Sequence, residues 1–186
     1  MWSCSAEDGG VGAPAVVVAY DPEWPAVFAV LRAAADEALA GIAHVTEHVG
    51  STAVPGLDAK PIIDMSVVVS AAEVVGPAVE ALARAGWRPE GELGVAGREA
   101  LAPPASLAYH HMYVVVAGSG AHRDHVDLRD FLRSHPGEAA RYARLKHSLA
   151  ALLLTDRAAY AEGKAQMIGQ FLRQARTGVY QDLAGG

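Results

Sequence analysis

An α/β domain of the α+β kind, with strands flanked by helices and a helical C-terminal half, is what the residue pattern predicts, and three observations carry it. Trp24, Phe28, Leu31, Ala35 and Leu39 recur at the spacing of one helical face. Ile62 to Val69 is a nearly continuous apolar run, as expected of a strand covered on both faces. Beyond Gly118 the apolar residues return to helical spacing and keep it to the end. With 186 residues, 52% of them hydrophobic, the chain has enough material for one core and little left for a second. The expected organisation is a tail over residues 1–14 and one domain over residues 15–186.

Taken in order, residues 1–14 are rich in Gly, Ser and Ala, show no apolar period, and read as a mobile tail. Ala15 to Tyr20 is β-prone. Asp21 followed by Pro22 reads as a helix start, a side-chain acceptor and then a residue with no amide hydrogen to leave unpaired. Gly41 closes that helix, and Ile42 to Val49 alternates valine with polar residues at period two, which predicts a strand. The Ile62–Val69 strand is expected near the sheet centre. A helix over about 71–85, a weak extended piece near Trp87 and a strong strand from Leu107 to Val116 follow. The Gly/Pro-rich stretch from Pro89 to Pro104 reads as a loop.

In the helical half, breaks are expected at His135–Pro136 and near Thr155–Asp156. Tyr142, Leu145, Leu149 and Leu152 form one stripe, and Tyr160, Met167, Phe171 and Leu172 another; both read as core faces.

Composition narrows the classes of partner. Fifteen basic against 21 acidic residues give a net charge of −6, which argues against a surface built for nucleic acid but leaves room for a local basic site. Cys4 is the single cysteine, so neither an intramolecular disulfide nor a cysteine zinc site is open to the chain. No apolar run reaches the roughly 18 residues of a membrane span, and the N-terminus lacks the pattern of a signal peptide. The expectation is a cytoplasmic protein with neither nucleic acid nor membrane as partner.

The chemistry concentrates in His48-Val49-Gly50-Ser51-Thr52-Ala53-Val54-Pro55-Gly56-Leu57-Asp58-Ala59-Lys60-Pro61-Ile62-Ile63-Asp64. A Gly-Ser turn follows one strand, and an aspartate stands inside the next. Glycine lets backbone approach a phosphate closely, and the Ser51 hydroxyl with nearby amides can donate to its oxygens. Asp64 on a rigid strand could then hold a divalent cation bridging those phosphates. The plainer reading is a connection whose Gly and Pro set geometry alone, with Asp64 a buried structural carboxylate. An aspartate on so apolar a strand must be paired, hydrogen-bonded or metal-bound, which favours function.

That segment, with Tyr20-Asp21-Pro22, Trp24-Pro25 and Phe28 before it and Arg129-Asp130-Phe131-Leu132-Arg133, His135-Pro136, Tyr142 and Leu145-Lys146 after it, resembles the GrpB-like family from about Val18 to about Phe171. The resemblance implies a nucleotidyltransferase-like mixed β-sheet flanked by helices. It also implies transfer of a nucleoside monophosphate from a triphosphate, with two metal ions held by aspartates two residues apart and a third carboxylate on a later strand. Here Asp64 matches the first position, whereas Ser66 stands at the second and is a poor metal ligand. The implied cofactors are Mg2+ and ATP or another nucleoside triphosphate, and the implied partners are that nucleotide and a small-molecule acceptor.

Glu47, beside the turn, can supply a second carboxylate to the metal at Asp64 if it points to the same face; otherwise it is a strand-edge residue. His110 and His111 lie where the third acidic ligand is expected, and only one can face a given site. His111 resembles the family pattern better, as a phosphate donor or acid/base group rather than a magnesium ligand, with a buried structural histidine as the alternative. The catalytic set is therefore Asp64, His111 and Glu47, with Asp64 and Glu47 also as metal ligands. Gly50, Ser51, Thr52, Lys60, Arg129 and Arg133 are the expected nucleotide-binding residues, and Arg98 and Arg123 are further cations. Arg129 and Arg133, four apart, share a helical face, though Asp130 and Glu138 offer them an ordinary charge network. His122, Arg123, Asp124, His125 and Asp127 read as solvated charge at a helix start and are left out of the site.

Three functions fit these residues: a nucleotide-dependent transferase, adenylation of a carboxylate for ligation included; a non-catalytic nucleotide- or metabolite-binding module that has lost the second metal ligand at Ser66; and an accessory protein docking through its helical half.

Overall fold

The computed structural model describes residues 16–184, so the expected tail over residues 1–14, with Cys4, lies outside the described residues. The elements are α1 (Trp24–Ala38), β1 (His44–Val49), a 3-10 turn (Ser51–Ala53), β2 (Ile63–Val69), α2 (Ala72–Arg84), β3 (Arg88–Gly91), β4 (Arg98–Ala102), β5 (His110–Val116), α3 (Gly120–Ser134), α4 (Pro136–Leu149), α5 (Leu152–Thr155) and α6 (Arg157–Ala184). The five strands form one mixed sheet in the order β1-β2-β5-β4-β3. Only β2 and β5 run parallel; the other neighbours are antiparallel. This is the expected α+β arrangement with a helical C-terminal half. None of the described helices is long and apolar enough to cross a membrane.

The two faces of β2 divide the molecule. Ile63, Met65, Val67 and Val69 point one way, into a core with Trp24, Leu31, Ala35 and Leu39 of the α1 segment and Ala78, Ala81 and Leu82 of α2. Burying each of the larger side chains contributes about 1.5–3 kcal/mol, so this face holds the sheet to its two helices. Asp64, Ser66 and Val68 point the other way. Their partners in register are Val49, Glu47 and Val45 on β1 and His111, Tyr113 and Val115 on β5. Paired residues in register share a face, so one side of the sheet centre is studded with polar groups.

The helical half supplies its own apolar cluster. Leu128, Phe131 and Leu132 of α3, Tyr142 of α4, and Ile168 and Phe171 of α6 pack together with Val54 and Leu57 of the β1–β2 connection. The helices are thus anchored beside the polar face without filling it, and a pocket remains between.

Three local expectations are corrected. The first helix begins at Trp24 rather than at Asp21–Pro22. The Asp21 carboxylate accepts the Glu23 amide at 2.9 Å and its carbonyl accepts that of Trp24 at 3.1 Å, which closes a turn ahead of the helix, and Pro25 takes the first-turn position. Among the described residues of the β-prone run before it, Val18 alone pairs, bridging Ala59. The stretch from Pro89 to Pro104, read as a loop, contains the β3–β4 hairpin. Pro89 is tolerated there because β3 is the sheet edge, where a missing amide hydrogen breaks no inner ladder.

Candidate active site

β1 delivers the chain to Gly50, whose φ is +70°. A Cβ placed there would overlap the Asp64 carboxylate, so only glycine lets the turn close over that residue. The 3-10 turn that follows is braced from behind. Arg129 donates to Glu47 Oε2 at 3.1 Å and to the His48 carbonyl at 3.2 Å, and Arg133 donates to the Ala53 carbonyl at 2.9 Å. His48 stacks on Phe28, with ring centres 4.6 Å apart, and burial pushes its imidazole down to about 4. It is therefore neutral, and its Nε2 lies 3.0 Å from Thr52 Oγ1, which donates onward to the Ile62 carbonyl. The Thr52 hydroxyl holds the turn against β2.

On the polar sheet face, His111 Nδ1 lies 2.8 Å from Asp64 Oδ1. A carboxylate at that distance accepts the Nδ1–H hydrogen bond, which keeps the proton on Nδ1 and leaves Nε2 as the basic nitrogen. One residue pair further along, Ser66 Oγ lies 2.8 Å from His125 Nδ1. Burial, then the field of Arg98, pushes His125 down to about 4, so it too stays neutral. Tyr113 fills the space between, 5.3 Å from the His125 ring, and carries the Arg98 guanidinium over its face at 4.5 Å.

Asp64, His111, Tyr113, Arg98 and His125 line one pocket. Gly50, Ser51, Thr52, Lys60, Asp64 and His111 are brought together in its wall, as the sequence proposed for them, and Arg98 joins them. Glu47, Arg129 and Arg133 are not in that wall. Glu47 does share the Asp64 face, in register with Ser66, but its carboxylate is engaged by Arg129. Arg123 donates to the Gly118 carbonyl at 2.6 Å. His110 faces the opposite side, fully buried, where it accepts the Trp87 indole N–H.

The pocket also holds His125, which the local sequence pattern reads as solvated charge, and Lys146 and Lys164, which the sequence does not single out for the site. The two lysines are 2% and 7% exposed and line the pocket from α4 and α6. Lys146 donates to the Asp58 carbonyl and lies 4.8 Å from the Tyr142 ring centre; Lys164 lies 4.2 Å from that of Tyr160. Burial, then the like charge of Lys164, lowers Lys146 to about 7. A signal for them was present, a lysine four residues after a tyrosine inside an apolar helical stripe, twice.

The donor set does not fit the two-metal centre that the resemblance implies. Asp64 is committed to His111, Glu47 to Arg129, and Asp124 to Arg176. The second ligand position is Ser66, tied to His125. Among the described residues no three His, Cys, Asp or Glu side chains are grouped to hold a metal ion.

The family model described as "GrpB protein" matches residues 14–174. UPF0157 protein YqkA of Bacillus subtilis is 39% identical over 121 residues, covering 65% of this chain and 35% of that protein. A UPF0157 protein of Pseudomonas aeruginosa is 39% identical over 163 residues, covering 86% of this chain and 66% of that one. The chain thus spans about a third of the first relative and just under two thirds of the second. The crystal structure of GrpB from Enterococcus faecalis superposes with a TM-score of 0.78 at 30% identity, covering 89% of this chain and 99% of that one. Cid1 poly(U) polymerase, at a TM-score of 0.46 and 16% identity over 70% of this chain and 40% of that one, is too distant a likeness to carry function.

Proposed function

The chain belongs to the GrpB family, and from that premise and the pocket's own chemistry we propose that it is a nucleotide-dependent transferase acting on ATP or another nucleoside triphosphate and a small acceptor. The observation that carries this reading is the Asp64–His111 pair, 2.8 Å apart, in a wall that also presents Lys60, Arg98, Lys146 and Lys164. The cations suit phosphate oxygens, and the Gly50–Ser51 turn offers backbone at close range. His111, its Nδ1 proton held by Asp64, has Nε2 placed to take a proton from the acceptor hydroxyl. The acceptor oxygen then bonds to the α-phosphorus as the α–β anhydride bond breaks and pyrophosphate leaves. Arg129 and Arg133 serve by holding the turn, and Glu47 by holding Arg129.

Calorimetric titration with ATP, followed by pyrophosphate assays against pools of hydroxyl, amine and carboxylate acceptors, tests the proposal. The expected result is binding, with acceptor-dependent release that His111→Ala abolishes. A second reading, a nucleotide- or metabolite-binding module without turnover, is favoured by the Ser66–His125 hydrogen bond at the second ligand position. Binding with no release against any pool selects it. No binding at millimolar ATP overturns the transferase reading and the nucleotide form of the second.

A further inference from the structure

Ser66, in the middle of β2, is 0% exposed, so its hydroxyl must give its proton to an acceptor inside the protein. Among the described residues that acceptor is His125 Nδ1, 2.8 Å away. The reverse arrangement, with Nδ1 donating to Ser66 Oγ, would leave the hydroxyl proton buried without an acceptor, which is the costlier choice. Burial, then the field of Arg98, keeps the ring neutral, so it carries one proton and not two. The serine therefore donates, and the imidazole proton sits on Nε2.

His111 has the opposite tautomer. Asp64 accepts from its Nδ1, which makes Nε2 the basic nitrogen. Asp64 and Ser66 lie two residues apart on one face of β2, about 7 Å along a strand. Tyr113 stands between the two imidazoles, its ring centre 6.4 Å from that of His111 and 5.3 Å from that of His125. Both imidazoles line the same pocket. One strand thus holds, side by side, an imidazole that takes a proton and an imidazole that only donates a hydrogen bond.

Resting on the reading that a phosphoryl group is transferred in this pocket, we propose that His125 is a second catalytic residue, whose Nε2–H donates to a non-bridging oxygen of the α-phosphate while His111 deprotonates the acceptor. The acceptor's proton passes to His111 Nε2, its oxygen bonds to the α-phosphorus, and the α–β anhydride bond breaks as pyrophosphate leaves. His125 keeps its proton throughout, because a neutral imidazole polarises an oxygen without surrendering its N–H. Ser66 is the positioning residue that fixes the tautomer.

Long-range 1H–15N correlation spectra of the histidine rings of the whole chain at pH 7 read the tautomers directly, with His125→Gln giving the assignment. The expected pattern is a proton on Nε2 of His125, replaced by a mixture of tautomers in Ser66→Ala. Pyrophosphate release at saturating ATP, against pools of hydroxyl, amine and carboxylate acceptors, is expected to fall by about 10²–10³-fold in His125→Leu, the loss of one donor to a developing oxyanion, with ATP affinity by calorimetry nearly unchanged. His125→Gln, whose amide can accept from Ser66 and still donate, is expected to recover at least about tenfold of that loss. Thermal melts verify that each variant folds. A proton on Nδ1 of His125, or a folded His125→Leu that releases pyrophosphate as the wild type does, overturns the inference and leaves the transferase reading standing. Equal losses in rate and affinity overturn it too, because they place His125 on the bound nucleotide and not on the transition state. A wild type that releases no pyrophosphate against any pool overturns the transferase reading, and this role with it.

Discussion

Gly50 and Asp64 are packed so tightly that the glycine has no room for a side chain: a Cβ would fall on the aspartate's own carboxylate. The contact joins the turn after β1 to the centre of β2, and it fixes where the Asp64–His111 pair faces. Gly50→Ala meets both the overlap and a φ of +70°, and is expected to destabilise the fold by about 2–4 kcal/mol. A thermal melt checks this. A variant with unchanged stability would mean that the turn relaxes without loss.

Asp64→Asn keeps shape and removes charge. The asparagine amide can offer N–H to His111 Nδ1, which moves the imidazole proton to Nε2 and removes the base. Acceptor-dependent pyrophosphate release is expected to fall by about 10²–10⁴-fold with nucleotide affinity in EDTA nearly unchanged. Equal losses in affinity and rate would place Asp64 on the ligand rather than behind the histidine.

Lys146 gives a pH dependence with a definite sign. Its amine is lowered from 10.5 to about 7 on folding, by burial first and then by Lys164, opposed by Asp58 and Asp64. Between those values the unfolded chain binds the proton and the folded chain does not, so stability rises with pH from about 7 towards 10.5. Lys146→Met removes the penalty and is expected to stabilise the protein by about 1–3 kcal/mol at pH 7, with a smaller gain at pH 9.5. Urea unfolding at the two pH values checks it. His147 also meets Asp58, whose carbonyl accepts from this amine, and Lys60 lies near the Tyr160 ring that Lys164 covers, so each is to be varied as a control.

Acid should act through two histidines. His48 and His125 are both lowered from 6.5 to about 4 by burial, so the unfolded chain gains their protons first as pH falls from 6.5 towards 4. Stability present above pH 6.5 is lost across that window. His125→Gln, which can still meet Ser66, is expected to flatten the loss; denaturation midpoints at pH 7 and 5 measure it. A slope unaltered in this variant would mean that His125 titrates normally.

The parts of the site legible in the chain were those that neighbours along it define. Valine alternation and the apolar run placed β1 and β2, and the residues between them made Gly50, Ser51, Lys60 and Asp64 candidates for one site. Parity on β5 allowed only one of His110 and His111 to reach it. These follow from backbone geometry, in which side chains alternate with period two along a strand and 3.6 along a helix.

Which partner each of these meets was settled across the sheet and between the helices. Arg129 and Arg133 share a helical face as expected, yet that face lies behind the Gly50 turn, where carbonyls and Glu47 occupy it. The Pro89–Pro104 stretch became a hairpin because an edge strand asks for pairing on one side only. His125 looked like surface charge until α3 laid it on Ser66, and Lys146 and Lys164 sat inside stripes that read as core. Periodicity tells which residues share a face, but the charge a buried group must answer depends on groups tens of residues away. For the pocket of this chain, the sequence alone determined the acidic end and its glycine turn, while the cationic end came together only when α4 and α6 packed over the polar face of the sheet.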